Sequence, residues 1–334
     1  MFNQNIKERY IEEKYFTTTL PKGYLECQFN KLEEYEKEYD KDVCCFTTRE
    51  IRTFYKLLNV SSLEILACLN SQLSLYTQWC LQNNLVIDNQ NHFLEFNLNL
   101  LNRCINPVKF NKKIVSREDV IRWCDQIPNP KDQVVLLGLF EGMKGKDFCD
   151  FVKLKPGDIK GNTVHLASGR DIYVSDQLLE YMQDSINETK YYSCTKEGIG
   201  DVVLDLIDRG YVLKYYPNTR DDTSDFQKGR VVYNGISRSL KYLGVFNIVK
   251  ANSIYESGKI HMIKERSKEL GMTPEDYIYS DHIKEVEERF DCKILRKSYV
   301  LKYKGFFRNV REEKENVRRF ICGKEKSIHT IRIL

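Results

Sequence analysis

The sequence predicts a mainly α-helical protein with a small β-sheet, an α+β chain organised as two domains. Three observations lead there. The chain has 334 residues, 42% hydrophobic and 30% charged, enough to bury two separate cores and polar enough to face water. Apolar residues recur every three or four positions through most of its length, the period of a helix with one buried face. The segment NTVHLASGRDIYVS (162–175) instead alternates apolar and polar residues on both sides of a Ser168-Gly169 turn, the pattern of a β-hairpin.

In chain order, residues 1–45 are rich in Glu, Lys and Tyr. Within them KLEEYEKEYDKD (31–42) predicts an exposed helix of alternating charge, so this run is expected to be a charged N-terminal extension. Residues 46–105 predict a small helical domain. Thr47 or Thr48 can cap a helix whose Ile51, Phe54, Leu57 and Leu58 share a face. Ser61 or Ser62 opens a second, with Leu63, Leu66, Leu69, Leu73, Tyr76 and Trp79 or Cys80 in line and Asn83-Asn84 at its end. Residues 106–115, with a proline and two adjacent lysines, read as a linker.

Residues 116–334 then form the second domain. Ser116 and Asp119 make a capping box with aspartate at the reciprocal position, and Val120, Trp123, Cys124 and Ile127 form the buried stripe of that helix. Pro128-Asn129-Pro130 stops it. The apolar helix DQVVLLGLFEG (132–142) leads into GMKGKDFCDFVKLKPGDI (142–159), which reads as a tight turn carrying Lys144, a short amphipathic helix and a strand entrance. After the hairpin, Ser175 caps SDQLLEYMQDSI. Further helices are GRVVYNGISRSLKYLG (229–244), NSIYESGKIHMIKERSKELG (252–271) closed by Gly271, and TPEDYIY (273–279) opened by Thr273 and Pro274. In RKSYVLKYKGFF (296–307), Tyr299 alternates with apolar residues as in a strand.

Several function classes are excluded at this level. No apolar run reaches the length of a membrane span, and the first residues carry acidic side chains with no apolar signal core, so a cytoplasmic protein without membrane insertion is expected. The 11 cysteines are scattered, with Cys44-Cys45 the one close pair, and no CxxC, HExxH or clustered Cys/His spacing is present. Reduced, mostly buried thiols are expected, and neither a metal nor a cofactor. Net charge is +4, but from Cys292 onward 13 lysines and arginines face 4 acidic residues. Such a local positive field attracts a phosphate backbone; a solvated basic tail has the same composition.

The order of helical domain, linker and mixed domain resembles the tyrosine recombinases, the phage integrase family, over roughly residues 46–300. FTTREIRTFYKLL followed by a helix ending LYTQWCLQNNLV looks like their SAM-like core-binding domain. VSREDVIRWCDQIPNPKDQVVLLGLFEGMKGKDFCDFVKLKPGDI resembles the opening of their catalytic domain, with the hairpin in its usual place. The resemblance implies a clamp around double-stranded DNA. In the family a tyrosine cuts the strand, two arginines steady the phosphate charge, and a lysine and a histidine move protons.

The matching positions here are altered. Lys144 stands for the first arginine, keeping charge but losing the planar two-pronged donor. The hairpin offers Ala167, Ser168, Gly169 and Arg170 where the family carries its lysine. The His-x-x-Arg positions fall on Asn252 and Tyr255; a shifted register would bring in His261 and Lys264. No Leu-Gly-His follows, and His282 lies later than expected. Nucleophile candidates are Tyr299 and Tyr303, in a chain of 21 tyrosines.

The expectation is therefore a sequence-specific DNA binder lacking most catalytic residues, a phage transcriptional repressor maintaining lysogeny in a bacterial host. By analogy it resembles the recombinase-derived lysis repressors of SPbeta-type phages. The alternative is a divergent active recombinase working through a phosphotyrosine. Expected phosphate contacts are Lys112, Lys113, Lys144, Lys146, Arg170, Lys259, Lys264 and Arg266, with Arg49 and Arg52 beside Thr47 and Thr48 at a helix N-terminus whose amides suit a phosphate. In this family C-terminal segments pass between neighbours; the stretch Cys292–Leu334 either does so in a homo-oligomer on DNA or folds back on its own domain.

Overall fold

The computed structural model describes residues 1–15, 22–195, 198–217 and 223–307. They fall into two compact units, Met1–Asn111 and Lys112 onward, so the division lies inside the expected linker.

The first unit is all-helical: α1 (Gln4–Tyr15), α2 (Lys22–Tyr39), α3 (Thr48–Leu57), α4 (Leu63–Gln82), α5 (Leu98–Asn102) and α6 (Pro107–Asn111). Thr47 caps α3 in a box with Glu50, and Ser62 caps α4, which decides between the paired candidates in the sequence. The reading of residues 1–45 as an extension needs correcting, because α1 and α2 are part of this core. Tyr10, Ile11, Leu25, Phe29 and Leu32 are buried, and the rings of Tyr10 and Phe29 meet the edge of Tyr76 on α4 at 5.1 and 4.9 Å. The charge that suggested a solvated arm is partly internal. Lys7 is fully buried, 2.5 Å from Glu36 and 3.6 Å from Asp42, while Asp42 also accepts from the Tyr76 hydroxyl at 3.1 Å. Ions taken out of water persist only when their remaining bonds are made. Here Lys7 also donates to the Phe2 carbonyl at 2.8 Å, and Glu36 accepts from the Val43 amide at 2.8 Å. Burial pushes the Glu36 carboxyl up to about 7 against the pull of Lys7.

The second unit runs α7 (Arg117–Gln126), α8 (Pro130–Phe140), α9 (Cys149–Val152), β1 (Ile159–Lys160), β2 (Thr163–His165), β3 (Asp171–Tyr173) and α10 (Asp176–Asn187). It continues with β4 (Lys190–Thr195), β5 (Gly198–Asp205), α11 (Asp225–Tyr242), α12 (Ala251–Glu269), α13 (Pro274–Tyr279), α14 (Ile283–Arg289) and α15 (Arg296–Phe307). The expected hairpin is β2–β3, with Val164 opposite Ile172 and Gly169 in the left-handed region at the turn; β1 adds a third antiparallel strand. A second hairpin, β4–β5, pairs Lys190 with Asp205 and has no counterpart in the sequence reading.

Helix α8 is the axis of this core, with Val134, Leu136, Leu137, Leu139 and Phe140 all buried and α7, α10 and α12 packed around it. At Gly258 the backbone of α12 comes so close that a Cβ would overlap the Phe140 carbonyl, so no other residue fits that crossing. The strand expected around Tyr299 is instead helix α15: its buried residues Val300, Tyr303 and Phe307 recur at helical, not alternating, spacing.

Candidate nucleic-acid interface

The site is built on the turn that leaves α8. Gly142 (φ +102°) and Gly145 (φ +63°) occupy conformations that favour glycine, and they reverse the chain within a few residues. The turn is held by Asp150 on α9, which is fully buried. Its carboxylate accepts from the Lys144 amide at 3.0 Å, the Ser168 amide at 3.1 Å and the Arg170 guanidinium at 2.6 Å. One side chain thereby ties the Lys144 turn to the hairpin turn. The sequence reading passed over Asp150; its signal was a lone carboxylate inside the apolar run FCDFV.

Arg170, expected to contact phosphate, points inward. Besides Asp150 it donates to Ser168 Oγ at 2.9 Å, to the Gly142 carbonyl at 3.3 Å and to the Arg289 carbonyl at the end of α14. With only 14% of its side chain exposed, it clamps three segments together rather than presenting a fork to solvent.

Lys144 itself meets Asn252 and Tyr255, the positions aligned above with the histidine and arginine of the family motif. Its Nζ donates to Asn252 Oδ1 at 3.0 Å and lies 5.0 Å from the centre of the Tyr255 ring. The Lys259 ammonium lies 5.4 Å from the same ring, and Tyr255 donates its hydroxyl to the Phe290 carbonyl. Two ammoniums thus lie within cation–π range of one neutral aromatic ring. Burial, reinforced by Lys259, lowers the Lys144 pKa, while Glu256 opposes the shift. Asn252 and one side of Lys144 remain open to water. The alternative register through His261 and Lys264 does not reach this turn: His261 sits against the Phe140 ring and Lys264 is exposed two turns further along α12.

Beside this set lie both tyrosine candidates. The Tyr303 hydroxyl donates to Glu256 Oε2 at 3.1 Å, and Lys259, only 6% exposed, holds the other carboxylate oxygen at 2.6 Å. The Tyr299 hydroxyl is buried with no hydrogen-bond partner among the described residues, and burial pushes its pKa well above that of a free phenol. Such a phenol resists becoming the phenolate that attacks phosphorus. Lys259, expected on an exposed face, is thus an internal cation.

The remaining candidates divide the same way. Arg266 is paired with Glu269 at 2.7 Å and Glu285 at 2.8 Å. Lys112, Lys146 and Lys264 are exposed and Lys113 is half-buried. In the first unit Arg49 and Arg52 are exposed on α3, but the amides before them are not open to a phosphate. Glu50 accepts from the Thr47 amide at 2.8 Å, its own amide turns to Thr47 Oγ1 at 3.4 Å, and its carboxylate would repel an anion. The basic residues from Arg308 to the C-terminus lie outside the described residues.

Among the described residues no helix is long and apolar enough to cross a membrane, and no cluster of three or more His, Cys, Asp or Glu is arranged to hold a metal. Two family models match the chain: the MrpR N-terminal core-binding domain over residues 1–82 and the MrpR C-terminal catalytic domain over residues 114–316. The first begins at residue 1, in keeping with α1 and α2 as part of that domain. An SPbeta prophage-derived uncharacterized protein of Bacillus subtilis (strain 168), YopR, is 24% identical over 285 residues, covering 81% of this chain and 84% of that protein. With a model matched in each unit, the chain belongs to the MrpR family and has the core-binding and catalytic domain architecture of the tyrosine recombinases.

Proposed function

We propose that this chain binds a specific double-stranded DNA sequence, keeps the recombinase scaffold without strand transfer, and acts in a bacterial cytoplasm as a transcriptional repressor that maintains a prophage. One observation carries the reading: Lys144 stands against the neutral residues Asn252 and Tyr255 where a cutting site needs several fixed cations. Phosphoryl transfer through tyrosine requires donors preorganised around the charge that develops on the phosphate. A single lysine attracts a phosphate but does not supply that cage. The buried, unpartnered Tyr299 hydroxyl and the Glu256-bound Tyr303 favour the same conclusion. The prophage origin of YopR supports the genetic setting.

In this reading Lys112, Lys113, Lys144, Lys146 and Lys264, with Arg49 and Arg52 of the core-binding unit, contact the backbone, and copies associate on the operator. Arg170, Lys259 and Arg266 hold the protein together instead.

The test is selection of fragments from phage and host DNA at moderate salt, followed by incubation of a supercoiled plasmid carrying the recovered site. Retention of the duplex without nicking or covalent attachment is expected. Relaxed or recombined product, or a denaturant-resistant adduct lost in Tyr299→Phe or Tyr303→Phe, would establish an active recombinase and overturn the proposal.

A further inference from the structure

We infer that the second unit carries a nucleotide-binding groove, lined by side chains other than those around Lys144. The groove has a volume of about 530 Å³ and lies among the β2–β3 turn, the segment after α9, the segment before α11, and the start of α11. That volume is in the range of sites that enclose small organic ligands, roughly 300–1,000 Å³. Two tyrosine rings line it, Tyr211 and Tyr215, set edge to face at 5.5 Å. Two ammoniums stand over these rings, Lys155 at 5.8 Å from Tyr211 and Lys228 at 5.5 Å from Tyr215.

The groove's two carboxylates, Asp158 and Asp225, face three lysines, Lys153, Lys155 and Lys228, and Asp225 is attracted by Lys228 as well as Lys153, which leaves one positive charge in surplus. Asp158 accepts from the Lys155 amide at 2.9 Å, and Asp225 is paired with Lys153 at 2.7 Å. The Tyr215 hydroxyl is buried and has no partner among the described residues, so it has a hydrogen bond to give. Tyr215 and Lys228 also line a second, inner cavity of about 40 Å³. Aromatic faces beside ammoniums in a concave volume match a planar base joined to a phosphate. A DNA duplex presents phosphates but keeps its base faces stacked inside, and inorganic phosphate has no ring to engage Tyr211.

Occupancy would be felt at the DNA-facing turn. Ala167 and Gly169 line the groove, while the residues beside them, Ser168 and Arg170, are bonded to the same Asp150 carboxylate that holds the Lys144 amide. A bound nucleotide therefore bears on the segment that sets Lys144. This coupling rests on the DNA-binding reading; the groove itself does not.

Isothermal titration of the full chain without DNA, using AMP, ATP, GTP and inorganic phosphate, tests the site. Saturable binding of at least one nucleotide is expected, about tenfold weaker in Tyr211→Ala and in Lys155→Ala, the scale of losing one stacked ring or one charge contact. Thermal melts of both variants establish that they fold. No saturable binding up to about 1 mM nucleotide, equal binding by the variants, or phosphate binding as tight as any nucleotide would each overturn the site. A second titration then measures duplex affinity with and without saturating nucleotide. A several-fold shift in the wild type that is absent in Tyr211→Ala supports the coupling, and no shift refutes it. A chain that binds nucleotide but no DNA sinks the repressor reading and leaves the groove standing.

Discussion

Replacing Asp150 by alanine should unfold the second unit far more easily than its single position suggests. The substitution removes a charge-assisted bond of 2.6 Å to Arg170 and the acceptors for two amides, those of Lys144 and Ser168. It leaves a guanidinium only 14% exposed without its counter-ion. Removing one partner of a buried ion pair costs about 3–5 kcal/mol. The two carbonyls that Arg170 also reaches place the effect toward the lower figure. For a unit of this size, with a urea dependence of about 3 kcal/mol/M, the midpoint should fall by about 1 M. The assay is built into the sequence, because the chain's two tryptophans, Trp79 and Trp123, lie one in each unit. In a Trp79→Phe background, fluorescence reports the second unit through Trp123. Asp150→Asn, which keeps one acceptor oxygen, should recover part of the loss. A midpoint within about 0.2 M of the parent for Asp150→Ala would refute the role of this carboxylate as the tie between the two turns.

The other expectations are smaller. Tyr303→Phe should cost about 1–2 kcal/mol by deleting the bond to Glu256, whereas Tyr299→Phe, which removes an unpartnered buried hydroxyl, should be neutral or stabilising in the same Trp123 assay. Lys144→Ala should weaken duplex binding to all sequences alike and reduce the slope of log affinity against log salt by about 1. Lys144→Arg should not restore strand cleavage, since Asn252 and Tyr255 are unchanged. In the first unit, His92 is bonded to Glu95 at 2.9 Å and Asp88 at 2.6 Å, and these carboxylates raise its pKa above 6.5. Its contribution to stability is therefore fully present below pH 6.5 and lost as pH rises through the raised folded value. Trp79 fluorescence during urea unfolding should show that decline, and His92→Gln should flatten it.

Much of the fold was legible because it rests on local physics. The caps at Thr47, Ser62, Ser116, Ser175 and Thr273 follow from a short polar side chain placed before an apolar helical stripe, and each makes its expected bond to a backbone amide. The β2–β3 hairpin announced itself through alternation and a glycine turn. The N-terminal helices were misread because counting charges does not reveal pairing: Lys7 and Glu36 are 29 positions apart and look solvated until they meet in the core. The same limit applied at α15, where a few residues fit both periods and packing chose the helical one.

For the candidate site, the sequence by itself determined the cast: a lysine after the apolar helix, and a neutral asparagine and tyrosine at the start of α12. Residue type is a local property, so the charge or neutrality of each could be read directly. Only the tertiary structure decided which surviving cations face outward. Arg170 and Lys259 carry the same charge as Lys146, yet a buried carboxylate on α9 claims the first, packing encloses the second beside its own-helix partner Glu256, and Lys146 is left in water. For Arg170 a partner from another element is brought within about 3 Å in a low-dielectric interior, and for Lys259 the packing around α12 removes the water; no spacing along the chain encodes either.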